Sequence, residues 1–534
     1  MKTKYIYLAA LAFMTVPAAA QETYQDAKMA ENGLTGTARY VGMGGAMEAL
    51  GADISTIASN PAGIGLLRKS QVSISAGVYA QSNANDYTSF QGNTIGFDAK
   101  KGRASFDQIG VVWSPQAKGK NYFNLAFNYH KSADFGQILN AANRLGNASQ
   151  NKQTAAKYPL VLDNLDRYGQ DVADMMWSAP DAAYEKFFGK NEDGTQMNYL
   201  NADLFLFGQY QRGYIGEYDF NISGSINNRV WLGLTVGYHD VNYRNNSLYA
   251  ENLEDGSTMD SYEQVRIDGG GFDIKAGVIF RPSADSPFRI GAYVNTPVFY
   301  DLTYKGDYAM VYSPSASYDG TVKENTNQYS SVDYDYRLNT PWKAGVSLGH
   351  TIGNNLALGA TYEYAWYDHM DNRIKDGGYY DYWYGDYYES SSSDDEMNAN
   401  TRMSLKGVST LKLGLEFKPV PYLALRAGYN YVSPMYDRDK GFRDQGDMAS
   451  PGVSTACSTY FTNWGATNRA TLGIGFNYER LNIDLAYQYS TQKGDFYPFM
   501  SYVDGSDAAF DNIPPVTEVK YDRHQLMMTV GYRF

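Results

Sequence analysis

The sequence predicts an all-β fold: a transmembrane antiparallel β-barrel of about 14 strands, with an N-terminal plug in its lumen and extracellular loops that carry helices. Three observations predict it. Apolar and polar residues alternate from about residue 71 to the last residue. The connections between alternating runs are short and long by turns. Charges inside the runs keep to the parity opposite the apolar one.

Bulk properties remove the main competitors. Mean hydropathy is −0.47 over 534 residues. Beyond the extreme N-terminus no apolar run reaches the roughly 18–20 residues that a spanning helix requires. An aromatic content of 15%, with 49 Tyr and 52 Gly, suits a sheet with aromatic girdles and close backbone approaches. The net charge of −13 leaves no basic face, so no nucleic-acid partner is expected. One cysteine, Cys457, has no partner for an intramolecular disulfide.

Export is written at the start. Lys2 and Lys4 precede an apolar stretch from Tyr5 to Val16, and Ala18, Ala19 and Ala20 supply small residues before Gln21. This order predicts a cleavable signal peptide over residues 1–20. No cysteine follows it, so a lipid anchor is not expected.

Alternation is clearest at Leu411, Leu413, Leu415 and Phe417, interleaved with Lys412, Gly414 and Glu416. Residues 272–280 and 482–489 repeat it. Strands are predicted to start near residues 71, 106, 121, 214, 230, 271, 288, 342, 356, 409, 422, 470, 482 and 524. Residues 114–120, 227–228, 281–287, 351–355, 419–421 and 479–481 read as short turns, and about 25 to 80 residues separate the strands at the other end. Short periplasmic turns, long extracellular loops and an even count define outer-membrane barrels, which places both termini in the periplasm.

Charge supplies an independent test, because a charge on the lipid face costs roughly 2–4 kcal/mol at mid-bilayer and little at the interface. Glu217, Asp219, Asp273, Lys275, Lys412, Glu416, Arg426 and Asp484 all fall on the inward parity. Asp107, Lys131, Asp240, Asp368 and Asp522 break the rule, and all five are expected at strand ends that lead into long loops. Phe280, Phe417 and Tyr478 near the turns, with Tyr129, Tyr238 and Tyr489 near the loops, read as two aromatic girdles. The chain closes on an outward stripe in which Tyr532 and Phe534 resemble the C-terminal signal read by the barrel assembly machinery. The plain alternative is an ordinary last strand. Outer-membrane lipids and lipopolysaccharide are the other expected partners.

Residues 21–70 break the alternation. Gly36–Gly51 reads as a short helix or coil and is followed by Asn60-Pro61-Ala62-Gly63. With residues 71–534 assigned to the barrel, this stretch is the predicted plug. Val161, Leu165, Tyr168, Val172 and Met175 have helical spacing inside the loop after the third strand. Residues 376–397, dominated by Tyr, Asp, Ser and Gly, read as a mobile external loop.

Chemistry-bearing motifs are scarce. Gly42-Met43-Gly44-Gly45 lacks the preceding strand of a dinucleotide fingerprint. The five histidines are scattered without ligand spacing, and Asp437, Asp439 and Gly441 lack the later acidic ligands of a calcium loop. No serine, histidine and acid arrangement stands out, so neither enzyme, metal nor cofactor is expected. Inward-parity glycines, among them Gly233, Gly277, Gly359, Gly414 and Gly428, either relieve curvature or leave room for something inside.

Residues 36–46, Leu50-Gly51-Ala52-Asp53 and Asn60-Pro61-Ala62-Gly63 resemble the plug of the long-chain fatty-acid transporter (FadL/TodX-type) outer-membrane family. Asn295-Thr296-Pro297 and Leu338-Asn339-Thr340-Pro341-Trp342 resemble its internal strand motifs. The resemblance implies passive uptake of hydrophobic small molecules, such as long-chain fatty acids or aromatic hydrocarbons. It also implies that movement of the plug gates the channel, with lateral escape through a strand defect. The alternatives are a structural or adhesive barrel that binds surface glycans or proteins through Tyr-rich loops, a porin for hydrophilic solutes, and an outer-membrane enzyme.

Overall fold

The computed structural model describes residues 23–115, 119–169, 177–315, 326–437, 459–503 and 511–534. The expected signal peptide, Cys457, Asp439 and Gly441 lie outside the described residues.

The wall is a closed 14-strand antiparallel barrel in which several strands are broken into segments. It opens with β1 (Gln71–Ser82). The first loop carries a hairpin of β2 (Tyr87–Phe90) and β3 (Asn93–Gly96), and β4 (Gly102–Trp113) follows. The third wall strand is split into β5 (Tyr122–Asp134) and β6 (Gln137–Arg144). After α3 (Gln150–Tyr168) and α4 (Ala179–Phe188) come β7 (Ala202–Ile226), β8 (Val230–Leu253) and β9 (Thr258–Phe280). The seventh wall strand is β10 (Arg289–Asn295) with β11 (Phe299–Ser313), and the eighth is β12 (Thr326–Asn339) with β13 (Lys343–Ile352). The ninth is β14 (Leu356–Ala365) with β15 (Asp371–Asp381). Its partner is β16 (Asp386–Ser393) above and β17 (Val408–Val420) below. Then come β18 (Leu423–Val432), β19 (Phe461–Tyr478), β20 (Leu481–Tyr497) and β21 (Thr517–Arg533). The barrel closes where β21 pairs with β1, from Gln71↔Arg533 to Ser82↔Asp522.

The breaks have local causes. Pro297 and Pro341 lack the N–H that a ladder needs. The hydroxyls beside them replace the lost pairing: Ile274 N donates to Thr296 Oγ1 at 3.0 Å and Val298 N to Thr340 Oγ1 at 2.8 Å. At the foot of the barrel Asn227 and Asn228 both take left-handed φ within the three-residue turn 227–229, where Arg229 N donates to Ile226 O at 3.0 Å.

Side-chain parity follows the sequence. Leu411, Leu413, Leu415 and Phe417 are exposed, while Lys412 and Glu416 between them are buried against the lumen. Two expected exceptions dissolve. Asp107 lies at a β-bulge opposite Ser75/Ala76 and is fully buried on the inner side, and Asp368 sits in a 3-10 turn, Tyr367–His369, outside any strand.

The long-loop end departs from expectation. β7, β8 and β9 run 25, 24 and 23 residues, far beyond the 9–11 of one crossing. β8 and β9 join through a tight turn at 254–257 where a long loop was predicted. Residues 371–393 likewise form the β15–β16 hairpin instead of an irregular loop. These extensions lose the alternation because residues 204–209 and 247–251 are covered on both faces, the covered face of β9 carries Ser261 and Glu263, and β15–β16 is largely wet on both faces. Phe205, Phe207, Tyr249, Tyr312, Phe496 and Phe499 pack into one core with Tyr184 and Phe187. Those last two come from α4 (Ala179–Phe188), which follows α3 (Gln150–Tyr168) in the predicted helix-bearing loop, whereas Val172 and Met175 lie outside the described residues.

Glu251 is buried in this outer layer, beyond the bilayer. It accepts from Tyr249 OH at 2.6 Å and from Gln150 N at 2.8 Å. Burial pushes its carboxyl up to about 7, against those two hydrogen bonds. The fold therefore prefers the neutral acid, and stability falls as pH rises from about 4.5 to 7. Thermal unfolding at pH 5 and pH 8 should show Glu251→Gln sparing the layer about 3 kcal/mol of that loss. An equal loss in both proteins would refute the assignment.

Candidate functional site

The lumen is occupied by residues 23–70. Their lower part is a series of short capped turns. Thr37 caps α2 (Ala38–Gly42) by accepting from Tyr40 N at 3.1 Å, and Asp53 caps the 3-10 helix Ile54–Ala58 while accepting the Thr37 hydroxyl at 2.9 Å. Asn60 caps the 3-10 helix Pro61–Leu66 through Ala62 N at 3.2 Å, with Pro61 at the first position, where no N–H is needed. The Asn60 amide also donates to Glu48 O at 3.2 Å and to Val278 O of β9 at 3.4 Å. Asn60, Pro61, Ala62 and Gly63 are all buried.

The inward glycines are where this segment meets the wall. A Cβ on Gly359 would lie 1.9 Å from Ala46 O, and one on Gly414 would lie 2.3 Å from Met43 O. Glycine is what permits backbone to lie on backbone there. Curvature relief is the lesser reason.

Ion pairs hold the same contact. Glu48 is fully buried, and its carboxylate accepts from Lys412 Nζ at 2.9 Å, Thr361 Oγ1 at 2.7 Å and Tyr40 OH at 2.9 Å. Arg39 donates to Glu416 at 2.9 and 3.2 Å. Arg426 then links Glu416 (2.8 Å) to Asp484 (2.6 Å), so one chain of charge runs across β17, β18 and β20. Sequence parity placed the wall charges but missed Arg39 and Glu48, whose partners lie more than 360 positions away.

The segment climbs to the long-loop end. In α1 (Thr23–Ala30), Tyr24 stacks on Tyr436 at 4.9 Å, and Thr23 Oγ1 lies 3.3 Å from Thr401 Oγ1 in α5 (Asp395–Ser404). Phe534 is at the opposite end, its N donating to Ser70 O. Thr23 and Phe534 therefore sit at opposite ends of the barrel, and the residues before Thr23 lie outside the described ones.

The wall has a gap. β4 and β5 pair only through Gln108–Trp113 with Leu125–His130. Above that, β5 bulges between Lys131 and Ala133, and Ile138 of β6 pairs instead with the Gln81 side chain, at 2.7 and 2.8 Å. Side chains span the opening. Lys131 Nζ donates to Ser105 Oγ at 2.5 Å, and Arg103 pairs with Asp134, whose backbone carbonyl accepts from Arg523 Nη1 at 3.3 Å. Behind it lie two lumen cavities that share Asn32, Gly33, Leu34 and Thr35. Phe135, Met435 and Trp464 line the outer cavity together with Arg469 and Arg523, and the inner one reaches Glu217 and His130.

Two of the scattered histidines meet. His130 on β5 and His239 on β8 flank Glu217 and Asp219 of β7, next to Asp273 and Lys275 of β9, and all are buried. Register across four strands brings them together; no linear spacing could have shown it.

Fold and lumen define a transmembrane β-barrel of outer-membrane type whose pore is filled by its own N-terminal segment. Among solved structures the chain is similar to a Pseudomonas aeruginosa FadL homologue, at 14% identity over 94% of this chain and 99% of that one, with a TM-score of 0.49. It is also similar to the CymD monoaromatic hydrocarbon channel (11%, 94% and 98%, 0.48) and to the Ralstonia pickettii toluene transporter TbuX (12%, 94% and 99%, 0.46). No protein-family model matches the chain, and no curated protein matches it in sequence.

Proposed function

We propose that the protein is an outer-membrane channel for passive uptake of hydrophobic small molecules, with residues 21–70 as its plug and the β4–β5 gap as its side exit. Residues 1–20 are the export signal, and Tyr532 and Phe534 form the C-terminal insertion signal for the barrel assembly machinery. The observation that carries the proposal is the break in hydrogen bonding between β4 and β5 beside a filled lumen. An opening in the wall serves a solute that dissolves in hydrocarbon, whereas a hydrophilic one needs an open axial path. Phe135, Met435, Trp464 and Leu34 offer such a solute apolar surface behind the gap.

The Asn60-Pro61 turn is the test of gating. It fastens the plug to β9 through one amide. Replacing both residues with alanine is expected to leave the folded barrel intact and to change uptake of a labelled fatty acid or aromatic hydrocarbon severalfold, with a small sugar as control. Unchanged uptake of every apolar solute would remove the plug from the gating role. Deleting Phe534, exposed beside Tyr532, should lower outer-membrane levels of the protein; equal levels by immunoblot would discount the insertion signal.

One observation favours the adhesive alternative. At the tip of the β15–β16 hairpin, Tyr382, Trp383 and Tyr384 are 90, 92 and 74% exposed, which suits stacking on a sugar ring or a partner protein.

A further inference from the structure

A buried cluster of charge faces the lumen from β5, β7, β8 and β9, and passage of an apolar molecule requires none of it. Lys275 Nζ lies 2.6 Å from Glu217 Oε1, 2.9 Å from Asp219 Oδ1 and 3.0 Å from Asp273 Oδ1. Those contacts use all three ammonium protons. Three carboxylates contact this one ammonium, and Lys343, which lines the same inner cavity, is the next cation near Glu217 and Asp273, so the buried cluster still holds more negative than positive charge, a costly state unless something positive joins it.

The second oxygens of Glu217 and Asp219 turn away from the lysine and face His130. Glu217 Oε2 is 3.6 Å from its Nε2, and Asp219 Oδ2 is 3.6 Å from its Nδ1. Both distances are too long for hydrogen bonds. Asp219 is fully buried, yet its Oδ2 has no hydrogen-bond partner among the described residues.

We propose that His130, Glu217 and Asp219 bind a divalent first-row transition-metal cation, zinc above all. Each offers one ligand atom, and the three atoms lie within 4.8 Å of one another. Bonds of about 2.0–2.2 Å to a shared ion place such atoms roughly 3–3.5 Å apart, so small side-chain rotations complete the site. One imidazole nitrogen with two carboxylate oxygens suits zinc or manganese better than calcium or magnesium. Added positive charge is what the cluster lacks. Lys275 holds the outer oxygens of both carboxylates and so orients them, as partners behind metal ligands do. The inner lumen cavity, which Glu217 and His130 line, supplies the entry path and water for the open coordination positions. His130 is also the last residue of β5 paired with β4, opposite Gln108, directly below the bulge. A bound cation therefore ties β5 to β7 at the base of the wall gap.

The test uses tag-free, full-length mature protein, folded in detergent and stripped with a chelator. Calorimetric titration with zinc at pH 7.5 is expected to show one saturable site. His130→Ala and Asp219→Asn should each weaken it at least tenfold. His369→Ala, on an exposed turn away from the cluster, should not alter it. Cobalt(II) added to the unaltered protein should give visible absorption of a nitrogen- and oxygen-ligated ion, a reading that depends on no variant folding. Absence of a saturable site, zinc affinity indifferent to both substitutions, or a silent cobalt spectrum would each overturn the proposal.

Discussion

Leu413→Arg is expected to block assembly of the barrel, while Gly414→Ala, one residue along, leaves the wall assembled and dislodges the segment inside it. Leu413 is 43% exposed on the outer face, and an arginine there meets lipid, at roughly 2–4 kcal/mol for a mid-bilayer position. Gly414 points the other way, and a methyl group on it falls 2.3 Å from Met43 O. Backbone on both sides leaves no flexible side chain to yield, so the N-terminal segment must move. An arginine at 414 would have the same effect in stronger form, since no free lumen exists beside that position. Folding into lipid, followed by the heat-dependent shift in gel mobility, reports on the wall. Protease cleavage between residues 36 and 52 reports on the segment. A Gly414→Ala protein whose segment stays as protected as wild type would show that the contact is slack. A Leu413→Arg protein that folds normally would show that the register is wrong.

Lys412→Met should have an effect of similar size through electrostatics. It strips the Glu48 carboxylate of its cation and leaves it facing only the Tyr40, Ser59 and Thr361 hydroxyls. Breaking one side of a buried pair costs about 3–5 kcal/mol, because an uncompensated charge remains. Glu48 belongs to the lumen segment and Lys412 to the wall, so the cost falls on their attachment. Release of the segment, faster proteolysis there and increased flux of small solutes are the expected results. The double variant Glu48→Gln/Lys412→Met removes both charges and should restore most of the protection. If the double variant is as leaky as the single one, hydrogen bonding to Thr361 and Tyr40 holds the segment, and the ion pair is incidental.

The wall was legible because lipid enforces a strict rule on one face of every strand. Leu411 to Phe417 could alternate in only one sense without burying Leu413 beside Lys412 or exposing Lys412 to hydrocarbon. The rule lapses where the lipid ends. Residues 204–209 of β7 and 247–251 of β8 are covered on both faces, and the covered face of β9 above the lipid carries Ser261 and Glu263, so the alternation fades there and a tight turn at 254–257 was mistaken for a long loop. Asp107 was misplaced because a bulge shifts parity without leaving a mark in the residue pattern.

The strand count, the inward and outward faces, the short turns and the small-residue stretch ahead of the barrel could all be read from the residues alone. All of these depend on neighbours within a few positions, or on contact with a uniform solvent. Which residues meet inside depends on how the strands close. Glu48 with Lys412, Arg39 with Glu416, and His130 with His239 across β7 are pairings set by strand register and barrel closure. The β4–β5 gap belongs with them, since it arises where a bulge in one strand ends its ladder with the next. Closure brings together residues hundreds of positions apart, and no local periodicity carries that information.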